Sequence, residues 1–277
     1  MRVGRIPYVN CYPIYGAVDR GIVPLAAELI DGVPTALNKM MREGALDVSV
    51  VSAVEYARDW ERYLLLPDLA ISCDGPVRSV MLFSSLPAGG LDGKRLLVSR
   101  SSMTSVYLLE LLFEHVWRAS PQYVPGDAEA ADVRGTDADD ACAARLVIGD
   151  AALILGTNTI PAPYEYVYDL GLEWKKWTGL PFVFAVWVAQ RRADTALALS
   201  VQAGLIESRD WGLMHLDALA QQAYESTGVP LTLCHEYLSG LDYGLSYPHL
   251  GGLTEFYRRL TVAGKVPPQR LSFLPAA

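Results

Sequence analysis

Two long strand-like runs, Val77-Arg-Ser-Val-Met-Leu-Phe-Ser84 and Phe182-Val-Phe-Ala-Val-Trp-Val-Ala189, constrain this chain more than any other feature. They bracket about a hundred residues, an ordinary domain size, and that middle stretch carries strand and helix patterns of its own. A chain that leaves one set of strand and helix units, completes a second set and then returns is most economically built as two α/β lobes joined by two crossings. The first lobe is expected to hold residues 1–84 and 187–277, and the second residues 85–186. One large domain is the alternative. Asp74-Gly-Pro76 and the Pro87-Ala-Gly-Gly-Leu-Asp-Gly93 cluster bound the first run, and Pro181 fits the first position of the second strand. A cleft between lobes is an ordinary place for a small molecule, and crossing strands can act as hinges.

Within the first lobe, Val3 and Ile6 suit a strand that runs into Pro7-Tyr-Val-Asn-Cys-Tyr-Pro13. The two prolines restrict the backbone on either side of Tyr8 and Asn10. Ligands of open α/β sheets sit where strands deliver loops at their carboxyl ends, so Tyr8 and Asn10 are candidates for substrate contact. The other reading is a proline-fixed turn whose tyrosines only pack. Further strands are expected at Ala26–Ile30 and Asp47–Ser52, with a helix over Pro34–Glu43 between them. Ser52 is placed to cap a helical turn over Ala53–Trp60, with Glu55 closing a capping box. Leu64–Leu66 and Ile71–Cys73 read as two short extended pieces divided by Pro67-Asp68. In the first long run, alternation puts Ser79, Met81 and Phe83 on one face. Ser79 there needs a partner, either a backbone group or a ligand.

In the middle stretch, a strand at Leu96–Ser99 leads through Ser101-Ser-Met-Thr-Ser105 into an apolar helix reaching Val116. Ser102 or Thr104 can cap it, and the hydroxyls of Ser101, Ser102, Thr104 and Ser105 beside helix-start N–H groups suit a carboxylate. Gln122–Val124 is another candidate strand, and Gly126–Asp140 a solvated loop with a short helix. Ala144–Asp150 reads as a buried strand ending in a Gly-Asp turn. Gly149 allows close backbone approach, and Asp150 either caps the following helix or faces the cleft. A strand at Tyr166–Asp169 and a helical turn at Leu172–Trp177 precede the second long run. Beyond Thr195 the pattern turns helical, over 195–208, 211–225, 230–238 and 250–263, before an extended, proline-containing tail.

The balance of 31 acidic to 23 basic side chains, a net charge of −8, offers no general attraction to nucleic acid or to an anionic membrane. The opening arginines are not followed by the apolar region of a signal peptide, and no apolar run is long enough to span a bilayer. Cys11, Cys73, Cys142 and Cys234 are scattered without a CxxC pair or metal-ligand spacing, so a cytoplasmic protein with reduced thiols is expected. No GxGxxG, P-loop, HExxH or GxSxG pattern occurs. His115 and His215 lie in amphipathic helices as core-edge or surface residues, and His235 and His249 add no metal spacing. What remains is an uncharged hydrogen-bonding set at strand ends: Tyr8, Asn10, Ser52, Ser79, the Ser101–Ser105 run and Gly149-Asp150. It suits carboxylates and hydroxyls and lacks a strong base. Two function classes stay open on this ground, a small-anion binding module and an enzyme whose substrate supplies much of its own reactivity.

Motifs in order along nearly the full length carry a resemblance. They are Arg5-Ile-Pro-Tyr-Val-Asn-Cys-Tyr-Pro13, Val51-Ser-Ala-Val-Glu-Tyr-Ala57, Leu66-Pro-Asp-Leu-Ala-Ile-Ser72 and Gly75-Pro-Val-Arg-Ser-Val-Met-Leu-Phe-Ser84. Ser101–Leu112, Leu146-Val-Ile-Gly-Asp-Ala-Ala152 and Leu245-Ser-Tyr-Pro-His-Leu-Gly-Gly-Leu253 with Phe256-Tyr257 complete the set. As a set they resemble the chorismate dehydratase family of the futalosine route to menaquinone. The resemblance implies an α/β, two-lobed, periplasmic-binding-protein-like type 2 fold with two crossover strands and a central cleft. It also implies removal of water from chorismate to give 3-[(1-carboxyvinyl)oxy]benzoate, without a cofactor or metal. The family's catalytic asparagine falls on Asn10 and its serine on Ser79. Tyr8, Ser52, Ser101, Ser102, Thr104, Ser105, Gly149 and Asp150 are the candidates for binding this dicarboxylate. Neither nucleic acid nor membrane is expected as a partner; a homodimer is, from the frequency of two-fold assemblies. A sister enzyme of the same route, 1,4-dihydroxy-6-naphthoate synthase, looks like the same fold, and the opening and the Gly75–Val80 region favour the dehydratase.

Overall fold

The computed structural model describes residues 1–130, 142–157 and 164–275. In chain order come β1 (Arg2–Arg5), α1 (Tyr12–Asp19), β2 (Glu28–Asp31), α2 (Pro34–Arg42), β3 (Val48–Ser52), α3 (Ala53–Asp59) and β4 (Tyr63–Cys73). Then follow β5 (Val80–Ser84), β6 (Arg95–Ser99), α4 (Thr104–Leu112), β7 (Gln122–Gly126), β8 (Ala144–Ile148), α5 (Gly149–Thr157), β9 (Tyr166–Asp169) and α6 (Leu170–Thr178). After β10 (Phe182–Gln190) the chain is helical, with α7 (Thr195–Met214), α8 (Leu216–Thr227), α9 (Leu231–Ser239) and α10 (Tyr247–Val262).

The strands form two five-stranded sheets, ordered β2-β1-β3-β10-β4 and β7-β6-β8-β5-β9. The two share one plan. In the first, β1 is parallel to β2 and β3, and β10 is antiparallel to β3 and β4. In the second, β6 is parallel to β7 and β8, and β5 is antiparallel to β8 and β9. Every residue of β3 and β8 is buried, Ser49, Ser52 and Arg145 along with the apolar ones, as suits strands in the interior of a sheet.

The partition of strands differs from the expected one at both crossings. β5 belongs to the second sheet and all of β10 to the first, so the chain changes sheets before Val80 and again before Phe182, not at 84 and 186. Backbone geometry explains the first shift: Gly75 has φ 138° and Arg78 φ 61°, which interrupts the extended run and delays the strand to Val80. Ser79 therefore sits in the turn leading into β5. The Asp169 carboxylate holds that turn, accepting from the backbone N–H groups of Val77 (3.0 Å), Arg78 (2.6 Å) and Leu172 (3.0 Å). Gly171 passes so close that a Cβ there would lie 2.6 Å from Cys73 Sγ and 2.7 Å from the Gly75 carbonyl oxygen, which binds the two crossings together.

The two pieces expected around Pro67-Asp68 are one strand, β4, in which Asp68 takes φ 60° and the pairing with β10 shifts register. A bulge accommodates the proline without ending the strand. The helices expected at 195–208 and 172–177 extend to Met214 and Thr178, the latter stopped by Gly179 at φ 74°. The tail is extended and pairs with β4 through Leu65 N–H to the Ser272 carbonyl and Leu274 N–H to that of Leu65, both 2.8 Å. Of the loop expected over 126–140, the part beyond residue 130 lies outside the described residues. No helix among the described residues is long and apolar enough to cross a membrane.

Candidate active site

The carboxyl ends of β1, β3, β6 and β8 face a common cavity between the sheets. From the first sheet come the Ile6–Cys11 loop after β1, Ser52 at the end of β3 and Phe184-Ala185 of β10; from the second come Ser79 and Val80, the Ser102–Ser105 turn and Ile148-Gly149. Tyr8, Asn10, Ser52, Ser79, Ser102, Thr104, Ser105 and Gly149 thus line one space. Ser101 and Asp150 are not among the lining residues. The described residues that line the cavity include no lysine, arginine or histidine. His115 instead stacks on Trp177, and His249 Nε2 meets Asp242 Oδ2 at 3.1 Å.

Neighbours from elsewhere in the fold place several of these residues. Asn10 sits in a single 3-10 turn, Val9–Cys11, and its Oδ1 is buried with no hydrogen-bond partner among the described residues. The turn is anchored from the opposite lobe, where Asp150, at the start of α5, accepts the Val9 N–H at 3.0 Å. Burial raises the Asp150 carboxyl to about 6 despite that bond. Asp150 therefore links the lobes. It also caps Val9, a residue distant in sequence, which a local capping pattern does not reveal.

Tyr8 packs its ring over Gly149, which has φ +64°, and a Cβ on Gly149 would lie 2.9 Å from Tyr8 Cε2. Burial, with Glu129 and Asp150 nearby, pushes the Tyr8 hydroxyl up to about 12, so it stays protonated. Ser79 is 2% exposed; its carbonyl accepts the Gly149 N–H at 2.8 Å, and its hydroxyl makes one long bond to the Val77 carbonyl at 3.4 Å.

Ser52 stands at the N-cap position of α3 but makes no cap bond, and the expected capping box is not formed. Buried Asn38 competes for it, donating Nδ2–H to Ser52 Oγ at 3.0 Å and accepting the Ser52 N–H at 3.1 Å. Glu55 is drawn away to Arg42 and to the Tyr63 hydroxyl. At α4 neither Ser102 nor Thr104 stands at the cap position: Met103 is the N-cap residue, and it makes no side-chain cap bond. Thr104 Oγ1 instead accepts the Val54 N–H of α3 at 3.2 Å, a second bond between the lobes. Ser101 N–H turns back to Ser99 Oγ at 3.0 Å. Ser102 and Ser105 line the cavity at the start of α4, where first-turn N–H groups of a helix have no intrahelical partner.

Several neighbours escaped the sequence reading. Phe184, Ile148 and Met103 make much of the wall apolar, and apolar residues carry no chemical signature. Glu129, whose carboxyl is raised by burial, is near enough to Tyr8 to push its hydroxyl up further. Tyr237 of α9 lies against Ser79.

A family profile described as menaquinone biosynthesis matches residues 1–261. The chorismate dehydratase of Thermus thermophilus is 32% identical over 273 residues, covering 92% of this chain and 95% of that protein. Among solved structures, a protein of Archaeoglobus fulgidus superposes with a TM-score of 0.78 at 18% identity, covering 96% of this chain and 98% of that one. A Candida albicans protein with the generic periplasmic-binding-protein fold superposes with a TM-score of 0.61 at 11% identity, covering 98% of this chain and 92% of that one. These two likenesses carry the fold, a two-lobed periplasmic-binding-protein-like architecture, while the profile and the sequence identity carry the lineage: the chain belongs to the menaquinone-biosynthesis family.

Proposed function

We propose that this protein is a chorismate dehydratase, removing water from chorismate to give 3-[(1-carboxyvinyl)oxy]benzoate, with Asn10 and Ser79 as its catalytic residues. The observation that supports this most directly is their meeting in one cavity from opposite lobes. The relative from Thermus thermophilus supplies the substrate class.

The reaction breaks the C–O bond to the ring hydroxyl and the C–H bond at the adjacent ether-bearing carbon, and the C–H electrons become the last double bond of an aromatic ring. The departing hydroxide takes up the proton lost from carbon, handed on by the substrate's own carboxylate, and leaves as water. Aromatisation supplies the driving force, so the protein chiefly orients the substrate and eases departure of hydroxide. The substrate's own enolpyruvyl carboxylate is positioned to accept the ring proton, which suits a cavity whose described lining holds no carboxylate or histidine. On this reading the Asn10 amide and the Ser79 hydroxyl hydrogen-bond the leaving hydroxyl. The α4 start, with Ser102 and Ser105, is the seat for a substrate carboxylate. Tyr8, Ser52 and Gly149 shape the rest, and Asp150 acts by holding the Asn10 turn. A cytoplasmic location and a homodimer complete the proposal.

The test is incubation of purified protein with chorismate alone, following substrate and product by chromatography. Wild type is expected to form the aromatic enolpyruvyl ether, and Asn10→Ala and Ser79→Ala each to lose about a hundredfold or more in kcat. Folded wild type that leaves chorismate intact refutes the activity; full turnover by both variants refutes the residue assignment.

A further inference from the structure

The C-terminal helices reach the site at a point the sequence does not mark. Arg78 Nη1 donates to Glu236 Oε2 at 2.8 Å, which pins α9 to the first crossing, and the residues next to this pair are Ser79 and Tyr237. Tyr237 is 1% exposed, and its hydroxyl, buried, finds no partner at hydrogen-bond geometry among the described residues. That hydroxyl nonetheless lies against the Ser79 hydroxyl, with Cys11 and Asp150 also near. Interiors seldom leave such a group idle, and phenylalanine would fill the same volume without it. Burial holds the phenol far above its usual range, so it is a donor at every working pH. Ser79 in turn is loosely held, through its long bond to Val77.

We propose that Tyr237 is a positioning residue for Ser79, donating its O–H to the Ser79 oxygen once Ser79 turns its own O–H into the cavity toward the substrate hydroxyl. This rests on the dehydratase reading, in which Ser79 meets the leaving group. The chain Tyr237 to Ser79 to substrate is completed only with substrate present, and each donor polarises the next, so the Ser79 O–H becomes a better donor to an oxygen departing as hydroxide. Tyr237 keeps its proton throughout.

Kinetics on chorismate and thermal unfolding of wild type, Tyr237→Phe, Ser79→Ala and the double variant decide the matter. Tyr237→Phe is expected to lower kcat about tenfold with KM within about twofold, an order of magnitude in keeping with one polarised hydrogen bond. Its Tm is expected to stay level or rise, since the resting fold has no bond there to lose. In the Ser79→Ala background the same change should cost nothing more, whereas independent roles would multiply. Wild-type kcat in Tyr237→Phe, multiplying losses, or a variant that unfolds or melts well below wild type would overturn the proposal. Wild type inert toward chorismate would instead remove the reading beneath it.

Discussion

Asp150→Asn isolates the cost of keeping a charge inside the link between the lobes. The carboxyl titrates near 6 in the folded chain against a usual 3.8. The sign follows from proton counts. Below about pH 4 both folded and unfolded chains hold the proton and the group is neutral in the balance. Between about 4 and 6 only the folded chain holds it, and above about 6 neither does. Stability from this group therefore falls as pH rises through that window and stays low above it. At about 1.4 kcal/mol per pH unit the full cost is about 3 kcal/mol. Asp150 keeps partial contact with solvent, and an amide must place its own N–H groups, so about 1–2 kcal/mol of it is recoverable. The asparagine Oδ1 can still accept the Val9 N–H, so the turn is kept. The assay is thermal unfolding of both proteins across pH 5 to 8. The expected result is a Tm gain of about 3–6 °C at pH 8, shrinking to about half at pH 5. Other buried carboxyls, such as Glu55 and Asp169, shift both proteins alike and cancel in the difference. A gain that is flat with pH, or a loss at pH 8, would mean that burying the Asp150 charge costs the fold nothing.

Gly149→Ala forces a Cβ into the Tyr8 ring at a residue with φ +64°, so the Tyr8–Asn10 turn must move. We expect about 1–2 kcal/mol of lost stability and a fall in kcat/KM of more than tenfold; unchanged kinetics would show that Tyr8 does not set the site. Thr104→Val keeps shape but orphans the buried Val54 N–H, at a cost of about 1–3 kcal/mol. Its midpoint in urea should drop and its KM for chorismate rise, and a wild-type midpoint would mean that the bond contributes nothing.

Much of the element list was legible because it follows from short-range chemistry. Strands β3 and β8, the helix that opens at Pro34 and the helix that Gly179 stops are set by residues within a few positions of one another. The capping box at Ser52 and Glu55 has the right spacing and still does not form, because Asn38, Arg42 and Tyr63 offer both side chains better partners from elsewhere in the fold. At the crossings, alternation alone made one strand of Val77–Ser84, whereas Asp169, ninety-odd positions on, holds Val77 and Arg78 in a turn.

The α/β character, the strand-end placement of Tyr8, Asn10 and Gly149 and, through ordered motifs, the family all follow from the sequence alone. Those properties reside in local periodicity, in turn residues and in the identity of side chains. Tertiary structure alone decided which sheet each crossing strand joins, that Asp150 reaches across to Val9, that Thr104 meets Val54, and that Tyr237 stands behind Ser79. Each of those contacts pairs residues dozens to more than a hundred positions apart, and a hydrogen bond depends on where two groups come to rest in space, which no spacing along the chain encodes.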